Sequence, residues 1–94
     1  MQLEYHAYEA MAEKTLRGIM GEAEARFDVV RLAVVHRLGV VPVGEDSVLI
    51  AVSAAHRSAA WEAGEWLLEE VKARTEIWKK ETYDGDVGAW KANA

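Results

Sequence analysis

Cysteine is missing from this 94-residue chain, which removes disulfides, thiolate metal sites and any sulfur chemistry carried on its own side chains. Proline occurs once, at Pro42, so most breaks in regular structure must come from glycine and polar turns. No apolar run approaches the ~18 residues of a membrane span, and the opening Met1-Gln2-Leu3-Glu4 lacks the basic and apolar regions of a secretion signal. Cytoplasmic residence is the expectation. Basic residues are also in deficit: 11 Lys and Arg against 16 Asp and Glu leave a net charge of −5. A general polyanion binder draws its affinity from many phosphate contacts, so any anion site here must be local.

What is present is an ordinary globular mixture, 51% hydrophobic and 29% charged, of a length that fits one domain over 1–94. So short a chain buries a modest share of its surface. A stable core then calls for oligomerisation or a partner, and four Trp in a protein of this size point the same way.

Alternation at Leu3, Tyr5 and Ala7 predicts a strand over Gln2 to Ala7. From Tyr8 to Phe27, apolar residues recurring at three and four (Met11, Leu16, Ile19, Ala23, Phe27) predict an amphipathic helix. Gly18 and Gly21 cost that helix roughly 1 kcal/mol each relative to Ala, so a close partner or local loosening is expected there. Val29 to Leu38 is β-branched and nearly continuously apolar, the pattern of a central strand buried on both faces. Gly39 to Asp46 reads as a turn and Ser47 to Ser53 as the next strand, the two strands forming an antiparallel hairpin. A second helix over Ala54 to Arg74 carries the stripe Ala60, Ala63, Gly64, Leu67, Leu68 and Val71, with Trp61 and Trp66 off its centre. Ile77 to Tyr83 reads as a last strand, Asp84-Gly85-Asp86 as a turn, and Trp90 as the anchor of a short tail. The fold class is α+β, two helices packed on a mostly antiparallel sheet.

Charge gathers at the ends of the second helix. A capping Ser followed by His56 and Arg57 in the first turn would combine free N–H donors, the positive end of the macrodipole and two cationic side chains, a place for an anion. Each residue also has a plain reading: His56-Arg57 as a surface pair, His36-Arg37 as turn-securing hydrogen bonders, and Lys72 as a lysine favoured near a helix C-terminus. Lys79 and Lys80 adjoin on a strand and point to opposite faces, while Glu81 shares the face of Lys79. Cationic neighbours favour a neutral amine, a base or nucleophile; a carboxylate favours the ammonium, and the sequence leaves both open. His56 and Lys72 are separated by roughly 24 Å along one helix. If both ends serve one site, two copies of the chain must form it, as a two-fold dimer does naturally.

The blocks Ala55-His56-Arg57-Ser58, Glu62-Ala63-Gly64, Lys72-Ala73-Arg74 and Ile77-Trp78-Lys79-Lys80-Glu81, preceded by His36-Arg37-Leu38-Gly39 and Gly44-Glu45, resemble the MoaE family, the large subunits of molybdopterin synthases, from about Leu3 to Trp90. The resemblance implies an α/β-hammerhead fold and a homodimer at the centre of a heterotetramer. A small ubiquitin-like sulfur-carrier subunit of MoaD type would sit at each end. It further implies a sulfurtransferase: the thiocarboxylated C-terminus of the small subunit enters the large one, and two transfers convert cyclic pyranopterin monophosphate into the dithiolene of molybdopterin. By position, Lys72 and Lys79 match the family's catalytic lysines, and His56 and Arg57 match its contacts to substrate phosphate and pterin. No metal or cofactor of the chain's own is expected.

Two departures stand out. The family normally begins with a further N-terminal segment containing a Gly-x-Val-Arg strand, so the expectation is a single MoaE-like domain truncated at its N-terminus. Glu76 also stands where the family usually has proline. A truncated, non-catalytic MoaE-like dimerisation or interaction module is the other function class these departures allow.

Overall fold

The computed structural model describes residues 2–82 and 89–92. Its elements run β1 (Gln2–Ala7), α1 (Glu9–Arg26), β2 (Arg31–His36), β3 (Gly39–Pro42), β4 (Val48–Ser53), α2 (Arg57–Arg74), β5 (Ile77–Thr82) and β6 (Ala89–Ala92). They build two antiparallel sheets, one ordered β3-β1-β5-β6 and the other β2-β4.

Tyr8 and Phe27 flank α1 in extended conformation. The helix starts where the Tyr8 carbonyl accepts the Ala12 N–H at 2.8 Å and stops where Phe27 turns to φ −122°, ψ 148°. It passes through Gly18 and Gly21 without a break, and a Cβ on either would meet open space. Neither a close partner within the chain nor a loosened turn accompanies them. The exposed positions of the two glycines leave the propensity cost to be offset by burial on the other face, at Ala12, Ile19 and Ala23.

Two packed clusters hold the molecule together. Tyr5, Ala12, Val41 and Ile77 lie beneath the four-stranded sheet, and Ile19, Ala23, Leu67 and Val71 join the helices over β2 and β4. Ile19, Leu67 and Val71 are fully buried, each contributing about 1.5–3 kcal/mol by leaving water.

Several expectations need correction. Val29 to Leu38 is not a central strand buried on both faces: β2 spans only Arg31–His36, has β4 as its one strand neighbour among the described residues, and alternates between exposed and half-buried residues. Leu32 and Val34 pack on the helices, whereas Val35 on the other face is 58% exposed. The Gly39–Asp46 turn is partly a strand, because Gly39–Pro42 pairs with β1 and buries Val41, leaving the turn to the residues around Gly44 at φ +89°. The strands β2 and β4 do pair antiparallel as expected, but the connection between them carries β3 and is not a turn alone. The second helix begins at Arg57 rather than Ala54, with His56 at the N-cap and no side chain capping it, since β4 holds Ser53 in its ladder. The chain around Trp90 is likewise no tail but β6, paired with β5. The turn expected at Asp84-Gly85-Asp86 lies outside the described residues.

Candidate functional site

Strand register decides what surrounds Lys79. It stands opposite Tyr5, and Glu81 opposite Leu3, so both charged side chains share the sheet face that carries Tyr5, Val41 and Ile77 into the core. Their side chains are 21% exposed each, and Lys79 Nζ lies 3.6 Å from Glu81 Oε1. Lys80 faces the other way, with its ammonium 5.9 Å from the centre of the Trp90 ring. The alternation read from sequence thus separates the two lysines as expected, and the Lys79–Glu81 pair forms.

Tyr5 is the neighbour that sequence reasoning missed. It is 5% exposed, packs beside Lys79 by register and meets the His36 ring edge-on at 4.8 Å. The signal was present in the alternation of β1, which puts Tyr5 on the inner face, but the identity of its cross-strand partner needs the register. His36 itself has the plain role foreseen for it: its Nδ1 lies 2.9 Å from the Arg37 carbonyl, and Arg37 reaches Glu45 at 3.1 Å across the following turn. Burial pushes the His36 pKa below its ordinary 6.5, against the opposing pull of that carbonyl. A cavity of about 220 Å³ beside it is walled by Ala12, Leu16 and Ile77, with Glu9 and Glu13 at its edge.

Glu76 takes up a structural task. The Thr15 hydroxyl donates to its carboxylate at 2.9 Å, and its carbonyl accepts the Tyr8 N–H at 3.3 Å, tying the entrance of β5 to α1. A proline at this position could supply neither the carboxylate nor a flexible φ.

The remaining candidates are exposed. His56 and Arg57 open α2, and Lys72 lies in its last turn, all three at the surface. Their place at opposite ends of an 18-residue helix keeps them apart within one chain, while Lys79 lies beyond on β5. A second cavity, of about 440 Å³ between α2 and β4, is lined by Trp61, Gly64 and Leu68 rather than by any of the four. Among the described residues no cluster of His, Asp and Glu is arranged to hold a metal ion, and no helix is long and apolar enough to cross a membrane.

The family model described as MoaE protein matches residues 1–74. The molybdopterin synthase catalytic subunit of Pyricularia oryzae is 50% identical over 92 residues, covering 98% of this chain and 50% of that protein. That of Oryza sativa subsp. japonica is 53% identical over 93 residues, covering 99% and 48%. The chain therefore spans about half the length of the curated relatives it matches. Among solved structures, molybdopterin synthase from Staphylococcus aureus superposes with a TM-score of 0.87 at 41% identity, over 96% of this chain and 65% of that one. A molybdopterin cofactor biosynthesis protein E from Burkholderia multivorans gives 0.85 at 34% identity, over 99% and 62%. The helices, both sheets and the lysine-bearing strand are thus those of a known architecture, the α/β-hammerhead, and the chain belongs to the MoaE family.

Proposed function

We propose that this chain acts as the catalytic large subunit of a molybdopterin synthase in the cytoplasm. Residues 1–94 work as one MoaE-like unit within a homodimer. A small ubiquitin-like sulfur carrier of MoaD type docks on each copy, and the sulfur of its C-terminal thiocarboxylate passes to cyclic pyranopterin monophosphate. Two such transfers complete the dithiolene. The observation that carries this reading is the relatives' coverage of 98% of the chain at 50% identity, through every block that bears a candidate residue.

The side chains then divide the work. Arg57 offers a permanently charged, forked donor to the substrate phosphate, and His56 donates beside it or moves a proton. Lys79 is the more enclosed amine, ion-paired with Glu81 and backed by Tyr5, and its task is to orient the carbonyl of the incoming tail or to attack it. Lys72, exposed on the last turn of α2, serves as acid or base. With His56 and Lys72 roughly 24 Å apart, each site takes the opening of α2 from one copy and the lysines from the other.

The decisive experiment mixes the protein with thiocarboxylated small subunit and precursor and assays the dithiolene. Turnover by the wild type, lost on Lys72→Ala or Lys79→Ala in variants that stay folded, is the expected result. Absence of product with the wild-type chain, or wild-type rates in both variants, overturns the proposal.

A further inference from the structure

The two lysines assigned to catalysis above belong to packed clusters that share no residue. Lys72 is on α2, whose Leu67 and Val71 are buried with Ile19 and Ala23; Lys79 is on β5, whose Ile77 is buried with Tyr5, Ala12 and Val41. Only Thr75 and Glu76 separate the end of α2 at Arg74 from the start of β5 at Ile77. The placing of one amine against the other therefore passes through this junction. Thr75 does not hold it by its side chain, because the buried hydroxyl has no hydrogen-bond partner in the chain.

Glu76 fastens it instead. Its carbonyl accepts the Tyr8 N–H at 3.3 Å, and the Thr15 hydroxyl donates to its carboxylate from 2.9 Å of either oxygen. Tyr8, Ala12 and Thr15 follow one another at four and three along one face of α1, so Glu76 lies lengthwise against about two turns of that helix. Trp78 adds an edge-on contact to the Tyr8 ring, with 5.1 Å between centres. Helix α1 supplies buried side chains to both clusters, Ala12 to one and Ile19 and Ala23 to the other, and Thr15 stands between them. A carboxylate just past the C-cap Thr75 is at the negative end of α2, where the macrodipole favours a cation. Helix stability gives no reason for an acid there; the bond to α1 does.

We infer that the Thr15–Glu76 bond is a positioning device for the lysine pair: it clamps the α2–β5 junction to α1 and so fixes Lys79 against Lys72. The inference rests on the catalytic reading of the two amines given above. Neither Thr15 nor Glu76 touches the reacting groups; both act through the backbone that carries them. A proline at residue 76, the usual residue of the family, would restrain the same backbone by its ring. Thr75 already has φ −80° and ψ 138°, the extended conformation that a residue before proline requires. Without the bond each amine keeps its chemistry but ranges over more separations from the other, and the loss falls on kcat. KM for the precursor, set by His56 and Arg57 at the far end of α2, is spared.

The test reads amide exchange and dithiolene turnover on the same variants of the full chain, well below their melting temperatures. Thr15→Val is close in shape and removes only the donor. It should speed exchange of the Tyr8 and Ile77 amides, which bond to the Glu76 and Thr75 carbonyls, by about fivefold to tenfold, and lower kcat by a similar factor with KM unchanged. Thr15→Ser and Glu76→Gln keep a donor and an acceptor and should match the wild type. Adding Glu76→Pro to Thr15→Val should recover most of kcat, since the ring restrains the junction without the bond. A lower Tm with kcat unchanged in Thr15→Val would reduce the bond to ordinary structure and overturn the inference. Unchanged exchange, loss of kcat in Glu76→Gln, or a double variant no faster than Thr15→Val would overturn it as well. If the wild type makes no dithiolene, the functional reading falls instead, and exchange at Tyr8 and Ile77 still decides whether the bond clamps the junction.

Discussion

The two ends of α2 carry cations under opposite circumstances. At its close, Arg74 reaches Glu22 of α1 at 2.7 Å and Glu70 at 3.6 Å, and its bond holds the Glu22 carboxyl below the usual carboxylate range. One strand further on, Lys79 is paired with Glu81. These cations suit the negative end of a helix or have a carboxylate beside them, so the fold accounts for them. At the opening, Arg57 sits in the first turn with no acid, against the macrodipole, behind an N-cap His56 that makes no capping bond. Nothing in the folding of one chain asks for positive charge there. A group that stability does not explain is the better candidate for binding, and the contrast can be broken residue by residue.

The largest expected effect is at the closing side. Lys79→Ala should lower dithiolene formation by at least about a hundredfold, with the fold intact by circular dichroism, because the side chain lost is a half-buried, ion-paired amine and not a member of either packed cluster. Lys79→Arg keeps the pair with Glu81 but not the amine, so restored turnover in that variant would reduce Lys79 to a positioned charge. At the opening, Arg57→Ala should raise KM for the phosphate-bearing precursor about tenfold to hundredfold with a smaller change in kcat, the worth of one charge-assisted bond. Added salt should narrow the gap between wild type and variant. An unchanged KM would make Arg57 ordinary surface.

Stability sharpens the same contrast with opposite signs. Removing Arg57 relieves a cation at the positive end of α2, so Arg57→Ala should leave Tm unchanged or raise it by about 1–3 °C. Removing Arg74 loses contacts to both Glu22 and Glu70, so Arg74→Ala should lower Tm by about 1–3 °C, an amount kept small by the exposure of the pair. Differential scanning calorimetry of the two variants decides it. A fall with Arg57→Ala would show that the opening does use its charge structurally.

Much of this was open to reading from the residues. The three-and-four spacing gave both helices, and alternation gave β1 to the residue. The resemblance of the lysine block and the His-Arg block led to the right family. What escaped depends on neighbours that periodicity does not name. Val35 and Leu49 look like core from their types, yet both face outward, because an apolar strand face reads the same whether the fold covers it or leaves it open. Gly39–Pro42 has the composition of a turn, and its pairing with β1 comes from register alone. Residue types were legible because chemistry belongs to side chains, whereas the two ends of α2 lie roughly 24 Å apart within one chain, and no spacing in the sequence says what each end faces.

The smallest expected effect concerns His36, which joins neither end of α2 but lies against Tyr5, with Glu9 and Glu13 at the mouth of the adjoining cavity. Burial depresses its pKa below 6.5 in the folded chain, so near that pH the folded state binds fewer protons than the unfolded one. Its contribution to stability is therefore whole above the unfolded pKa and is lost as pH falls through the lower folded value. The depressed carboxyl of Glu22 adds a loss of the same sign, but in the carboxylate range further down. Thermal melts between about pH 7.5 and about pH 5.5 should lower Tm by about 1–2 °C through His36, and His36→Gln should flatten that slope while the acid limb near Glu22 persists. Arg74→Ala should do the reverse, erasing the lower limb and sparing the upper. A pH slope that both variants share unchanged would mean that neither group carries it, and that the acidic cavity mouth at Glu9 and Glu13 favours the imidazolium enough to cancel the cost of burial.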